Sequence, residues 1–122
     1  MNCLTIEYAS ETLRDSSVLR SIVGVRVGEA FAFDSTTATE FRLFESMGET
    51  AETLPELEEL QNIKEKLRSK YSRLYNLLLA IAESQPIASE DMLVLLYRSI
   101  ESTEASLDAS IASLQEIQRN WN

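Results

Sequence analysis

The 122-residue chain has no histidine and one cysteine, and these shortages remove many routes to catalysis and metal binding. Without histidine, the commonest general base and metal ligand are absent. Cys3 alone can form neither an intrachain disulfide nor a thiolate metal site. The three Gly and two Pro are too few for the turns of a β-sandwich. We therefore predict an all-α protein that is not an enzyme and binds no cofactor or metal.

Positive charge is also scarce, because 20 acidic residues outnumber 11 basic ones and give a net charge of −9. Nucleic acids and anionic membrane surfaces both select Lys and Arg. No apolar run approaches the roughly 20 residues of a membrane span, and the first residues lack the pattern of a cleavable signal peptide. We expect no nucleic-acid binding and no membrane insertion. The expected location is cytoplasmic, or outside the cell after export through a dedicated secretion apparatus.

Two stretches, 57–81 and 93–121, carry apolar residues at the seven-residue spacing of a coiled coil. This spacing is typical of two helices packed along a common seam. Thr53 and Glu56 have the spacing of a capping box, and Pro55 fits the first helical turn. Pro86 separates the two stretches. We predict helices at about 54–84 and 89–119, and their short connection makes them an antiparallel helical hairpin.

The chain before residue 54 gives weaker signals. Thr37 and Glu40 also have capping-box spacing, and Gly48 is suited to end a helix, so a short helix is predicted at about 37–47. Val18–Phe33 fits either a short strand or one face of a helix. We favour a poorly ordered or weakly helical segment over 1–34, followed by a helical domain over 35–122.

Two helices cannot bury all the large apolar side chains, so some must meet the N-terminal segment or another protein. We therefore expect a protein-binding or assembly function through helix–helix packing, by self-association or with a heterologous helical partner. The residues predicted to bind the partner are Phe41, Phe44, Leu93, Leu96, Ile100, Leu107, Leu114, Ile117 and Trp121.

The order of these segments resembles that of the inner rod subunits of bacterial type III secretion systems. The similar parts are a Ser/Thr-rich N-terminus, the "EFRLFESM" segment that contains Phe41 and Met47, and a last helix after a proline turn, here within Gln85–Asn120. The family usually has Asn-Pro or Asp-Pro at that turn, whereas this chain has Gln85–Pro86. The resemblance implies a polymerising structural subunit. Two alternatives remain open: an acidic helical chaperone or adaptor that binds a partner helix, and an acidic inhibitor of a basic partner.

Overall fold

The computed structural model describes residues 16–84 and 90–121, and every regular element in these ranges is an α-helix. Helix α1 spans Ser16–Met47, α2 spans Leu54–Glu83 and α3 spans Glu90–Trp121. The predicted all-α class is confirmed. Cys3, Pro86 and the predicted start of the last helix at residue 89 lie outside the described residues.

The helices pack around a core of three layers, each built from all three helices. The first layer contains Val18, Ile22, Val25, Leu74, Ile81, Leu96 and Ile100. The second contains Ala32, Ile63, Leu67 and Leu107. The third contains Leu43, Leu60, Leu114 and Ile117. From layer to layer the residue numbers rise in α1 and α3 and fall in α2, so α2 runs opposite to the other two helices.

The seven-residue pattern in α2 marks the residues that the bundle buries most deeply. Leu60, Leu67, Leu74 and Ile81 are all in the core. The predicted bounds of α2 and α3 agree with the structure within two residues at the described ends. Heptad spacing keeps one side of each helix facing its neighbours over several turns, which explains why these bounds were predictable.

The prediction of a short helix at 37–47 is wrong, because α1 begins at Ser16 and has 32 residues. Thr37 does not cap a helix start: its hydroxyl donates to the carbonyl oxygen of Phe33, one turn earlier in the same helix, at 3.1 Å. Thr36 and Thr39 donate in the same way. The helical alternative for Val18–Phe33 is the one observed, and α1 continues across the predicted boundary between residues 34 and 35.

The fold also differs from a two-helix hairpin with a short third helix, since α1 is as long as α3 and contributes to all three core layers. Polar contacts hold the second half of α1 to both neighbours. Lys64 of α2 forms an ion pair with Glu40 at 2.9 Å. Gln118 of α3 donates to the Thr39 hydroxyl at 3.0 Å. The observed arrangement is a bundle of three long helices.

The turn between α1 and α2 is held together by Thr53, which is almost fully buried. Gly48 has a φ of 72°, the left-handed conformation expected for a glycine after a helix. The Thr53 hydroxyl donates to the Gly48 carbonyl oxygen at 2.7 Å and accepts from the Thr50 amide at 2.8 Å. Thr53 occupies the predicted N-cap position of α2, but its side chain bonds the turn and makes no capping bond to the helix.

Candidate interaction surface

The structure places most of the predicted partner-binding residues inside the bundle. Five of them are buried in the core, namely Leu96, Ile100, Leu107, Leu114 and Ile117. Leu93 and Trp121 are half-buried against the first and third layers. A partner could reach the five core side chains only if the bundle opened. The apolar residues of α3 are covered by α1 and α2 of the same chain. The sequence analysis instead assigned them to a partner.

Phe41 and Phe44 are the two predicted residues that are exposed, and they lie on α1. Phe41 is 64% exposed and Phe44 is 56% exposed. They are part of a larger apolar surface on the side of α1 turned away from the core. We call this surface the outward face of α1; its large apolar residues are Leu19, Val23, Val27, Phe31, Phe41 and Phe44.

Helix α1 is apolar on two opposite sides, and this is why it presents such a surface. Its inner side places Val18, Ile22 and Val25 in the core. Val27, only two residues after Val25, is 63% exposed. A helix at the surface of a monomeric bundle normally has polar residues on its outer side, whereas a helix that is apolar all round is normally covered. The outward face of α1 therefore has the apolar composition of a buried surface, but no described part of the chain covers it.

The two glycines within α1 lie in different surroundings. A Cβ atom added to Gly28 would lie 2.6 Å from Cδ2 of Leu107, so the absence of a side chain lets α1 pack closely on α3. A Cβ atom added to Gly24 would have no atom within 4 Å. Packing within the bundle thus accounts for Gly28 but not for Gly24, which lies beside Val23 on the exposed side of the helix.

A cleft of about 320 Å³ between α1 and α2 contains a buried acidic group. Glu29 is 5% exposed, and its Oε1 has no hydrogen-bond partner among the described residues. Burial raises the pKa of Glu29 to about 7, against the opposing attraction of Arg26. Arg26 donates to the Tyr71 hydroxyl at 2.8 Å, while the Arg68 guanidinium lies 5.5 Å from the centre of the Phe33 ring.

Because burial raises the pKa of Glu29 to about 7, we expect the stability of the bundle to depend on pH near neutrality. Within residues 16–84 and 90–121, no three acidic or cysteine side chains come together in a group that could hold a metal ion. The described part of the cleft thus offers one proton-binding group with two arginines nearby.

The residues of the outward face that sequence reasoning missed are Leu19, Val23, Val27 and Phe31. Their signal was present, since Val18–Phe33 contains many apolar residues and few charges. The pattern of that stretch fits both a strand and a helix because its apolar residues do not favour one side. Apolar residues on two opposite sides of a helix indicate that the helix has two packing surfaces.

Comparisons with protein-family models, with curated proteins and with solved structures find no match to this chain. Among the described helices, none combines the length and the apolar character that a membrane span requires.

Proposed function

We propose that this protein is a non-enzymatic helical bundle that functions by binding another protein chain through the outward face of α1. The observation that carries the proposal is the row of exposed apolar side chains on a helix whose opposite side is already buried. Leu19, Val23, Val27 and Phe31 follow one another at four-residue spacing, and Phe41 and Phe44 lie further along the same helix. Clusters of exposed apolar residues of this kind usually mark a site of association. A helix of the partner chain is the natural occupant, since residues spaced three and four apart form a straight apolar stripe.

The proposal retains the predicted class of function but moves the binding surface from α3 to α1. The resemblance to type III secretion inner rod subunits implies helix–helix contacts by six apolar residues of α3, which here pack against the core of the bundle. They are Leu93, Leu96, Ile100, Leu107, Leu114 and Ile117. Assembly as such a subunit remains one form of the proposal, and its contacts would then be made by α1. A helical chaperone or adaptor that holds a client helix on the same face is the alternative form.

A photo-crosslinking amino acid placed at residue 27 tests the proposal in cells of the source organism. We expect a covalent adduct to a protein when the probe replaces Val27, and no adduct when it replaces Lys66, an exposed residue of α2. Val27→Asp, with the probe at Phe31, should abolish the adduct while the helical content stays unchanged. Adducts that form from residue 66 but not from residue 27 would contradict the proposal.

A further inference from the structure

The side chains at the centre of the outward face of α1 are arranged symmetrically about Val27. Two small residues lie three positions away, two large apolar residues lie four positions away, and two residues of opposite charge lie seven positions away. In sequence order the set is Arg20, Val23, Gly24, Val27, Ala30, Phe31 and Asp34, and all seven are exposed. Spacings of three, four and seven keep them on the same side of the helix.

We infer that the occupant of this face is a second copy of the chain, bound with its α1 antiparallel and with the two-fold axis at Val27. In a contact between identical surfaces, residue i meets residue j and residue j meets residue i. With the axis at residue 27, facing residue numbers add up to 54. Arg20 then faces Asp34 of the second copy, Val23 faces Phe31 and Gly24 faces Ala30. This inference rests on the proposed function and names its partner.

The charges at the centre of this face are complementary to those of a second copy. Among the seven residues of the set, Arg20 and Asp34 carry one positive and one negative charge, so the set is neutral. The whole chain has a net charge of −9, so two copies repel one another on average, and a neutral face adds nothing to that repulsion. Arg20 and Asp34 form no ion pair with the described residues, and the antiparallel arrangement pairs each of them once.

The antiparallel arrangement explains why a glycine is present at position 24. Glycine within a helix weakens that helix relative to alanine, and no neighbour inside the bundle requires its small size. Opposite Ala30 of a second copy, Gly24 lets the two α1 helices approach closely, so that Val23 packs on Phe31 on both sides of the axis.

The area of this face indicates a dimer that dissociates on dilution. Each copy contributes only three large apolar residues at the axis, namely Val23, Val27 and Phe31, so the interface is expected near the lower limit of specific interfaces, which is about 1,000 Å² in total. We therefore expect a dissociation constant on the order of 1–100 µM. The full chain should be a dimer at several hundred micromolar and a monomer well below one micromolar.

The first test is a charge exchange followed by sedimentation equilibrium of the full chain. Arg20→Asp and Asp34→Arg each place like charges opposite one another at two points of the interface, so each should raise the dissociation constant at least tenfold. The double variant restores both pairs and should return to within about threefold of the wild-type value. Lys66→Asp, on the exposed side of α2, is the matched control and should leave the constant unchanged.

The second test measures the direction of the helices with nitroxide spin labels in a Cys3→Ser background. An α-helix rises 1.5 Å per residue, so labels at Val27→Cys should lie close together across the axis. Labels at Arg20→Cys should be separated by about 21 Å along the helix, and labels at Phe41→Cys by about 42 Å. A parallel pair would instead give the same short distance at all three positions.

A chain that stays monomeric up to several hundred micromolar overturns the inference, as does a dimer that both single charge variants leave intact. Equal label distances at all three positions also overturn it. If the probe at residue 27 then crosslinks to a different protein, the proposed function stands and only the identity of the partner was wrong. If residue 27 gives no adduct at all, both fail.

Discussion

Replacement of Glu29 by glutamine should stabilise the protein at alkaline pH and have little effect at acid pH. Below about pH 4.5 the carboxyl group is protonated in the folded and the unfolded chain, so it makes no difference to stability. Between 4.5 and 7 the unfolded chain loses this proton while the folded chain keeps it, because burial raises the folded pKa to about 7. Stability must therefore fall as the pH rises through this range.

The magnitude follows from the shift of the pKa from 4.5 to about 7. Each pKa unit corresponds to about 1.4 kcal/mol, so the free energy of unfolding lost above pH 7 is at most about 3 kcal/mol. Glu29→Gln keeps the shape and removes the charge. It should thus exceed the wild-type protein in stability by up to about 3 kcal/mol at pH 8 and match it near pH 4.

Urea unfolding followed by circular dichroism between pH 4 and 8.5 measures this difference. Other carboxylates titrate alike in both proteins, so they cancel when the two curves are subtracted. Glu45→Gln, which changes an exposed carboxylate of the same helix, is the control. Its free energy of unfolding should differ from that of the wild-type protein by the same amount at every pH. A flat difference for Glu29→Gln, or a variant that is less stable at pH 8, would refute the burial of this group.

Three further predictions concern the packing of the bundle and are measured by urea unfolding at a protein concentration below one micromolar. Gly24→Ala should raise the free energy of unfolding by about 0.5–1 kcal/mol, because the added methyl meets no atom. Gly28→Ala should lower it by about 1 kcal/mol, since its Cβ would force Leu107 to move; equal effects at the two glycines would contradict the packing of α1 on α3. Thr53→Val should cost about 1–3 kcal/mol by removing the bonds to Gly48 and Thr50, and a neutral result would show that these bonds do not stabilise the turn.

The bounds of α2 and α3 could be predicted because both helices have a single apolar side and clear ends. In α2, Leu60, Leu67, Leu74 and Ile81 repeat at one spacing and all enter the core. Pro55 follows the start of that helix, where its missing amide donor costs little. Local signals and tertiary packing therefore agreed in these two helices.

The full length of helix α1 could not be predicted because its local signals conflict with its packing. Val and Gly have low helix propensity, yet the stretch with Val25 and Gly28 is helical because one side of it packs against α2 and α3. Thr37 and Glu40 have the spacing of a cap, but Thr37 bonds to a carbonyl of the preceding turn and Glu40 bonds to Lys64 of α2. Tertiary contacts decided the conformation here.

The candidate surface was predicted in part. The surplus of apolar residues correctly indicated that two helices were not the whole fold. The apolar residues of α3 that were assigned to a partner pack against α1 of the same chain. Phe41 and Phe44, which are predicted to bind a partner, are exposed on α1. Val27 and Phe31 were missed, because an exposed position on α1 can be recognised only after its buried side is known.

The central claim is that α1 packs on the bundle with one side and leaves an apolar side free for another chain. Two valines test it most directly, since Val25 is 3% exposed and Val27 is 63% exposed although only one residue separates them. In urea unfolding below one micromolar, Val25→Asp should cost more than about 3 kcal/mol. Val27→Asp should change the free energy of unfolding by less than about 0.5 kcal/mol. If the two substitutions destabilise the chain equally, or if neither does, α1 does not have the two sides described.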